Sequence, residues 1–319
     1  MTEFDLIDLF TRAAPREGEG IVVGVGDDAA VLRAPRGEDL VVTVDAVVEG
    51  VHFDRRFRAE DVGWKALAVN LSDLAAMGAR PLWALCALAT PRGESTARLA
   101  GVGRGLGACA RAHGIALAGG NVTRARELAL TVTAVGAVRR GRALVRGGAR
   151  PGDALLVSGT LGDAALGRRP GAAPALVRRQ RRPIPRLALG RALAGFAHAG
   201  LDVSDGLLQD LGHMCGASRV GATVLLDELP LSPAYQRAAE ADPDARPFDA
   251  ALGGGEDYEL LVAVPPGRVG RARAAARKLG VRLTVIGEAT AERGVRVLGV
   301  DGRRYMVRAG GYDHLASTS

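Results

Sequence analysis

Apolar and polar positions alternate along several segments of this chain with the two-residue period of strands. These segments are rich in β-branched residues and predict strands over residues 20–32, 39–48, 81–90, 115–124 and 127–138. Helical spacing occurs from Leu6 to Phe10 and again over residues 61–77, where Gly78 marks the end of the helix. Residues 95–113 predict a second long helix, and we expect the pair Gly119 and Gly120 to form a turn.

A segment rich in turn-forming residues, RGGARPGD at residues 146–153, separates this pattern from a second one. We therefore predict an N-terminal domain at residues 1–148 and a C-terminal domain at residues 149–319. The second half predicts strands within 153–158, 222–229 and 282–290, a connecting helix and loop over 168–185, an Ala-rich helix after it, and a helix near 272–279. Strands that alternate with helices indicate an α/β or α+β fold in both domains.

The composition narrows the functional classes. The 319 residues are 48% hydrophobic, which suits one large domain or two ordinary ones. Lys65 and Lys278 are the only lysines, and neither follows a glycine-rich loop, so the sequence has no Walker A nucleotide site. The net charge is +7, but the arginines are scattered and lack aromatic neighbours, so we expect no nucleic-acid partner. Phosphate chemistry here must use arginines, backbone amides or metal ions.

The cysteines, the first residues and the lengths of the apolar segments indicate the cellular compartment of the protein. Cys86, Cys109 and Cys215 are isolated from one another and have no CxxC spacing, so we predict buried thiols in a reducing environment. The first residues lack the basic and apolar regions of a signal peptide, and no segment approaches the roughly 20 apolar residues of a membrane span. We expect a cytoplasmic protein without a membrane partner.

Acidic residues at predicted strand ends and turns are the most informative feature of the sequence. An ionised carboxylate among apolar neighbours is costly unless it is paired or binds a cation. For any single acid, an arginine partner is an equally good explanation, as is a position at the N-cap or in the first turn of a helix for Asp73 and Asp205. For the whole set we favour Mg²⁺, which prefers carboxylate oxygens and links them to substrate phosphates. The set consists of Asp27, Asp28, Asp45, Asp73, Asp202, Asp205, Glu256 and Asp257.

Two further signals accompany these acids. In the GDD motif we interpret Asp28 as a metal ligand and Asp27 as its support. The preceding GVG lacks the later glycine and the ribose-binding acid of a dinucleotide site, so we expect no such site. His52 contacts either a substrate or only its own neighbours through a local hydrogen bond, and the residues alone favour the local bond.

Nine motifs, in their order and spacing, resemble those of the bacterial thiamine-monophosphate kinase family. The resemblance extends from about Gly24 to His314, and VNLSDLAAMGA and GGEDYEL are its most distinctive parts. The nine are GVGDDAAVL, VTVDAVVEGVHF, GWKALAVNLSDLAAMGARP, LAGGNVTR, ALVRGGARPGD, LLVSGTLGDAALG, LDVSDGLLQDLGHM, LGGGEDYELL and GGYDH.

The resemblance implies an activity and an architecture. The activity is transfer of the γ-phosphoryl group of ATP to the phosphate of thiamine monophosphate, with several Mg²⁺ ions, to yield thiamine diphosphate. The superfamily is that of aminoimidazole ribonucleotide synthetase. Its N-terminal sheet-and-helix domain pairs with that of a second subunit into a barrel, and a C-terminal α/β domain with a mixed sheet follows. The implied partners are therefore ATP, thiamine monophosphate and a second copy of the chain.

The same resemblance implies a role for each position that matches a family motif. No side chain is assigned as a catalytic group, because the acceptor phosphate oxygen is already ionised and positioning with charge neutralisation is sufficient. The implied residues are Gly120, Asn121, Arg146 and Ser204 for ATP; His52, Glu256 and Tyr312 for thiamine monophosphate; and Asp28, Thr43, Val44 through its carbonyl, Asp45, Asp73, Asn121, Asp202 and Asp205 for Mg²⁺.

One departure from the family pattern keeps alternatives open. Asn121 stands where the family has an aspartate after the paired glycines, so we expect one weaker metal site. His113 falls where relatives carry an aromatic residue beside the adenine. The alternatives are another ATP-dependent synthetase of the superfamily and a non-catalytic nucleotide-binding homologue. Selenophosphate synthetase would carry a reactive cysteine in an N-terminal glycine-rich segment, and none of the three cysteines lies in one.

Overall fold

The computed structural model describes residues 7, 10–241 and 246–306. The chain divides into two compact units, the first made of Met1–Leu74 and Ala79–Arg142 and the second of Ala75–Gly78 and Ala143–Ser319. A two-domain fold of helices and sheets is therefore confirmed, while the boundary at residue 148 stays a prediction. In the part of the chain described, no helix is both long enough and apolar enough to cross a membrane.

A four-stranded sheet in the order β3-β6-β4-β5 forms the frame of the first unit. Strand β6 pairs antiparallel with both neighbours, whereas β4 and β5 are parallel because a helix connects them. The strands are β3 (Glu38–Val48), β4 (Arg80–Thr90), β5 (Ala116–Arg124) and β6 (Ala129–Arg139), and the helices are α1 (Ala59–Ala76) and α2 (Thr96–His113). These bounds confirm both predicted long helices and four of the predicted strands.

The two helices pack against each other through glycines. A Cβ at Gly63 would lie 1.9 Å from the carbonyl oxygen of Val102, and one at Gly105 would lie 1.9 Å from that of Glu60. Only glycine allows the backbones of α1 and α2 to approach this closely. The apolar side of α1 is fully buried, as the predicted helical face requires, with Leu67 1% exposed.

The strand predicted over residues 20–32 is instead two short strands. β1 (Ile21–Val23) and β2 (Val31–Leu32) pair antiparallel, and the GVGDD motif forms the turn between them. Ile21 and Leu32 pack against a core cluster that includes Trp83 on β4. The indole N–H of Trp83 donates a hydrogen bond to the carbonyl of Glu19 at 2.6 Å. The turn breaks the strand because Gly26 adopts a φ of +117°, which side chains disfavour.

Gly119 and Gly120 do not form the turn predicted for them. Both lie inside β5, where the parallel partner strand β4 shifts register between Ala84 and Leu85. A Cβ at Gly120 would lie 2.1 Å from the carbonyl oxygen of Cys86. The glycine therefore permits a close approach of two strands, a requirement that the sequence alone did not distinguish from a turn.

A six-stranded mixed sheet in the order β12-β9-β11-β7-β10-β8 forms the frame of the second unit. All neighbours pair antiparallel except β12 and β9, which are parallel. The core on this sheet includes Leu155, Leu201 and Leu261, each at most 3% exposed. The strands are β7 (Ala154–Ser158), β8 (Ala199–Asp202), β9 (Gly221–Leu225), β10 (Leu260–Val264), β11 (Leu283–Thr290) and β12 (Gly294–Leu298).

Helices cover this sheet, and several elements of the unit were not predicted, among them β8, β10, α7 (Pro233–Glu240), α8 (Asp249–Gly253) and β12. Helix α7 begins with the N-cap Ser232 and a proline in its first turn, a start signal that was present in the sequence. Helix α8 and strand β12 are only five residues long, which is too short for a periodic pattern. The helices are α3 (Asp163–Gly167), α4 (Pro174–Arg181), α5 (Leu187–Leu193), α6 (Leu207–Ser218), α7 (Pro233–Glu240), α8 (Asp249–Gly253) and α9 (Val269–Lys278).

Candidate functional site

In the first unit, β3 and α1 bring one group of oxygen atoms together. The Thr43 hydroxyl donates a hydrogen bond to Asp73 Oδ2 at 2.5 Å, and the backbone N–H of Asp45 donates one to Asn70 Oδ1 at 3.0 Å. Val44 lies between the two strand residues. Hydroxyl, carboxylate and carbonyl oxygens are the ligands that Mg²⁺ prefers, so the chemistry of this group fits a magnesium site.

The elements that carry these acids differ from those expected. Asp45 is exposed in the interior of β3 and not at a strand end. Asp73 is half-buried near the C-terminal end of α1, so its interpretation as a helix N-cap is wrong. Asn70 is fully buried and donates its amide to the carbonyl of Ala66 at 3.0 Å. The sequence reasoning missed Asn70, although its position three residues before Asp73 places both on one helix face.

The turn between β1 and β2 carries the two acids of the GDD motif. Asp27 Oδ1 accepts the backbone N–H of Asp28 at 2.8 Å, so Asp27 shapes the turn. Both residues are exposed to solvent. The turn therefore presents Asp28 to solvent, and the interpretation of Asp28 as a metal ligand with Asp27 as its support stays a prediction.

Gly120 and Asn121 lie at the opposite edge of the sheet from Asp45. Asp45, Val132, Cys86 and Gly120 form one row across the four strands. Three strand spacings of roughly 4.8 Å separate the ends of such a row by about 14 Å. Asn121 is exposed in the next row, where side chains point to the other face of the sheet. Within the first unit, the structure therefore does not bring Asn121 to the Asp45 group.

His52 makes the local hydrogen bond that the residues alone favoured. Its Nδ1 accepts the backbone N–H of Val48 at 3.1 Å, so the neutral ring carries its proton on Nε2. Its carbonyl accepts a hydrogen bond from Lys65 Nζ at 3.1 Å, and Lys65 is fully buried. The half-buried ring is thus oriented by its own neighbours, and this orientation is compatible with a substrate contact through Nε2.

His113 lies in a partly buried environment at the end of α2. Its ring meets the Trp64 ring edge-on at 6.0 Å between centroids, and burial lowers the pKa of the imidazole. A neutral ring beside an indole forms an aromatic pair in the first unit. The matching of His113 to an adenine contact stays a prediction.

In the second unit, the turn between β8 and α6 carries the SDG motif. Asp202 ends β8 and is 5% exposed, whereas Ser204 and Asp205 are half-buried. Gly206 is the N-cap residue of α6, so the N-cap interpretation of Asp205 is wrong. The Asp205 carboxylate instead accepts a hydrogen bond from Gln209 Nε2 at 3.3 Å. The structure therefore brings Asp202, Ser204 and Asp205 together at one turn.

The loop of the GGEDYEL motif lies directly against this turn. The backbone N–H of Glu256 donates to the carbonyl of Ser204 at 2.7 Å, and that of Tyr258 donates to Val203 at 2.8 Å. Glu256 and Tyr258 have φ values of +62° and +52°, which are unfavourable for residues with side chains. Arg168 lies 3.6 Å from Glu256 Oε2 through its Nη1 atom. The structure thus brings Glu256 beside Ser204.

Glu259, in the same motif, is the centre of a buried ionic cluster that sequence reasoning missed. Arg179 and Arg186 donate to its Oε1 at 2.6 and 2.5 Å, and the Ser158 hydroxyl donates to its Oε2 at 2.5 Å. Burial opposes ionisation, but these donors hold the pKa of Glu259 below its ordinary value. The two arginines are 80 and 73 residues away from Glu259 in the sequence, so no local pattern predicts the cluster.

Asp257 is also buried, but no arginine or lysine among the described residues forms a hydrogen bond with it. Its Oδ2 accepts the backbone N–H of Gly162 at 2.7 Å, while its Oδ1 is buried without a hydrogen bond among the described residues. Burial raises the pKa of Asp257 to about 8. We therefore interpret Asp257 as a structural residue of the loop that carries Glu256, and not as a metal ligand.

Arg146 and Tyr312, which were assigned to the substrates, and the three cysteines are the remaining residues singled out in the sequence. Arg146 is exposed, and its carbonyl accepts a hydrogen bond from Ser218 Oγ at 3.3 Å. Tyr312 lies outside the described residues. Cys86, Cys109 and Cys215 are buried and carry no disulfide, as predicted, and burial raises the pKa of the Cys86 thiol to about 12.

Two protein families match consecutive parts of the chain. Residues 26–138 match the N-terminal domain of the AIR synthase related proteins, and residues 150–300 match their C-terminal domain. The matched segments include both the β3 and α1 group and the SDG and GGEDYEL loops.

Known proteins are similar over almost the whole chain. The thiamine-monophosphate kinase of Escherichia coli (strain K12) is 40% identical over 325 residues, which cover 99% of this chain and 98% of that protein. The crystal structure of thiamine-monophosphate kinase from Stenotrophomonas maltophilia K279a has a TM-score of 0.83 and 44% identity, covering 94% of this chain and 96% of that one. The structure of AaThiL complexed with AMPPCP and TMP has a TM-score of 0.79 and 33% identity, covering 98% of this chain and 97% of that one.

Proposed function

The chain belongs to the thiamine-monophosphate kinase family, and on that premise we propose which of its residues perform each part of the reaction. It is a phosphotransferase that uses ATP to convert thiamine monophosphate into thiamine diphosphate. The observation that carries this conclusion is the 40% identity along 99% of the chain, which includes every described site element. AaThiL, solved with AMPPCP and TMP, supports the same pair of substrates.

We propose that oxygen ligands within each unit bind Mg²⁺ ions. The support is the chemistry of the donor groups, above all the contact between Thr43 and Asp73 and the exposed Asp45 next to it. Bound Mg²⁺ supplies positive charge against the mutual repulsion of two phosphorylated substrates. The proposed ligands are Asp28, Thr43, Val44 through its carbonyl, Asp45, Asp73, Asn121, Asp202 and Asp205.

Binding of the two substrates is assigned to separate sets of residues. Gly120, Asn121, Arg146 and Ser204 contact ATP, and Gly120 suits this role because it has no side chain and is exposed on β5. The exposed Arg146 provides a cation for phosphate in a chain that lacks a P-loop lysine. Thiamine monophosphate is held by His52, Glu256 and Tyr312. The Glu256 carboxylate is oriented by the loop contacts to Ser204 and Val203.

The transfer itself is direct. The acceptor is a phosphate oxygen that is ionised near neutral pH, so no general base has to remove a proton from it. We propose an in-line reaction in which the residues orient donor and acceptor and no phosphoenzyme forms.

We further propose that the chain acts as a homodimer in the cytoplasm, with domains at residues 1–148 and 149–319. Leu40, Val42, Val44 and Leu85 expose 44, 62, 60 and 36% of their surface on the sheet of the first unit. Such an apolar sheet face suits burial against a second copy, which the barrel arrangement would provide. Light scattering after size-exclusion chromatography should give twice the chain mass. A monomer at micromolar concentration would contradict the dimer.

An ADP-release assay tests the activity and separates it from the alternatives. The purified chain is mixed with ATP, Mg²⁺ and thiamine monophosphate, and the product is identified as thiamine diphosphate by chromatography. We expect ADP and thiamine diphosphate in equal amounts. Nucleotide binding without turnover would favour a non-catalytic homologue, and ADP release that ignores thiamine monophosphate would favour another synthetase of the superfamily.

A further inference from the structure

One buried carboxylate organises the turn that carries the SDG motif. Asp210 Oδ2 accepts three consecutive backbone N–H groups, those of Ser204, Asp205 and Gly206, at 3.0, 3.0 and 3.2 Å. Asp210 lies in the first turn of α6 and is 3% exposed. Three amides that converge on one oxygen require a specific backbone conformation, so the carboxylate selects the shape of the turn.

The other side of the turn is fixed by close packing. Gly206 has a φ of +120°, and a Cβ there would lie 2.8 Å from the backbone carbon of Gly253 at the end of α8. The turn is therefore held between the Asp210 carboxylate and the backbone of α8. A loss of the three hydrogen bonds removes one of these two restraints and leaves three buried or half-buried amides without their acceptor.

The Ser204–Gly206 turn also supports the loop of the GGEDYEL motif. The carbonyl of Ser204 accepts the N–H of Glu256 at 2.7 Å, and Glu256 has a left-handed backbone conformation that needs such support. Asp210 is thus connected through one turn to Ser204, to Asp205 and to Glu256. These are the residues assigned to ATP, to Mg²⁺ and to thiamine monophosphate in the second unit.

We propose that Asp210 is a positioning residue of the kinase reaction, which acts by holding the Ser204–Gly206 turn in its binding conformation. This inference rests on the roles proposed for Ser204 and Asp205. Asp205, Asp210 and His213 also approach one another within 4.8 Å, as a metal site would. Because three amide donors already converge on Asp210 Oδ2, the assignment is to the backbone of the turn and not to a metal ion.

Three substitutions separate positioning from general stability. Asp210→Ala removes the acceptor, Asp210→Asn keeps an oxygen of the same reach, and Met214→Ala creates a cavity on the same helix at a fully buried position away from the turn. The readouts are amide hydrogen exchange at residues 204–206, the KM for ATP, kcat and the melting temperature. Amide exchange needs no substrate, so it tests the positioning even if the proposed activity is absent.

For Asp210→Ala we expect exchange at residues 204–206 to accelerate about tenfold or more, and the KM for ATP to rise by a similar factor. Asp210→Asn should restore most of both values. Met214→Ala should lower the melting temperature without a selective change at the turn or in KM. If Asp210→Ala does not fold, Asp210→Glu takes its place, because an extra methylene displaces the carboxylate and should change both readouts in the same direction.

Unchanged exchange and an unchanged KM in the alanine variant, or in the glutamate variant that replaces it, would overturn the proposal. So would equal effects of Asp210→Ala and Met214→Ala. A wild-type protein that shows protected amides at residues 204–206 but does not phosphorylate thiamine monophosphate would contradict the proposed function and leave the positioning to be decided by the exchange data alone.

Discussion

In the first unit the acids of the candidate site face solvent, whereas in the second unit most are enclosed by protein. Asp28 and Asp45 are exposed, and Asp73 is half-buried and accepts the Thr43 hydroxyl. Asp210 and Glu259 are 3% and 0% exposed and have three backbone amides or two arginines as partners. The same residue type therefore meets two different electrostatic environments.

The difference separates carboxylates that are available to a ligand from carboxylates that hold the local structure together. An exposed carboxylate retains its water and is available to a ligand, so its loss affects function more than folding. A buried carboxylate that has exchanged water for protein donors, as Asp210 and Glu259 have, leaves those donors without a partner when it is lost, so the local structure is affected as well. The four predictions below test this separation, and they run from the largest expected effect to the smallest.

The largest effect on activity is expected for the oxygen group on β3 and α1. Asp73→Ala and Asp45→Ala should each lower kcat/KM more than about 100-fold, because a lost ligand for the phosphate-neutralising cation costs several kcal/mol in the transition state. Circular dichroism and the melting temperature should stay near those of the wild type. Glu60→Ala is the control, since Glu60 also lies on α1 but pairs with Arg104 at the surface. Retained turnover in either aspartate variant would contradict the assigned role.

The largest effect on stability is expected at Glu259. Glu259→Ala leaves the partly buried Arg179 and Arg186 without their carboxylate and should lower the free energy of unfolding by about 3–5 kcal/mol, measured by urea denaturation. Glu292→Ala removes a surface ion pair with Arg296 and serves as the control, with a much smaller expected change. Similar losses in the two variants would show that the buried cluster is not a special source of stability.

Asp257 should make stability fall as the pH rises. Its pKa is raised by burial from 3.8 to about 8, so between these values the folded state holds a proton that the unfolded state releases. Stability from this group is complete below about pH 4, declines towards pH 8 and then levels off, with a slope of at most about 1.4 kcal/mol per pH unit. Asp257→Asn should flatten the difference between melting temperatures at pH 6 and pH 8. An identical pH profile in the variant would contradict the buried, protonated carboxyl.

The smallest effect is expected at Asn121. Asn121→Asp restores the charge that the family has after its paired glycines, and it should lower the Mg²⁺ concentration for half-maximal rate by about three- to tenfold. The residue is exposed on β5, so the melting temperature should not change. Thr123→Asp is the control, because it adds the same charge at another exposed position of β5. Asn70→Asp would not serve, because Asn70 is buried. An unchanged Mg²⁺ requirement would show that Asn121 costs the chain no metal affinity.

Local pattern was a good guide for the long elements of the first unit. The helical face that includes Val62 and Leu67 and the alternation along β3 and β4 identified α1 and both strands, because each pattern repeats over several turns or residue pairs. It failed at residues 20–32, where glycines split one apparent strand, and at Gly120, where the glycine serves a close strand approach. A glycine in a sequence does not reveal which neighbour requires it.

The amino-acid sequence by itself determined the family, the absence of a P-loop and the identity of the acids that matter, because these depend on residue types in a fixed order. Tertiary structure alone decided what each acid does. Asp210 and Glu259 acquire their roles from amides and arginines that only folding brings to them, and Asn121 is separated from Asp45 by the order of the strands. Burial and hydrogen bonding are properties of the assembled chain, and they set the charge and the partners of every carboxylate.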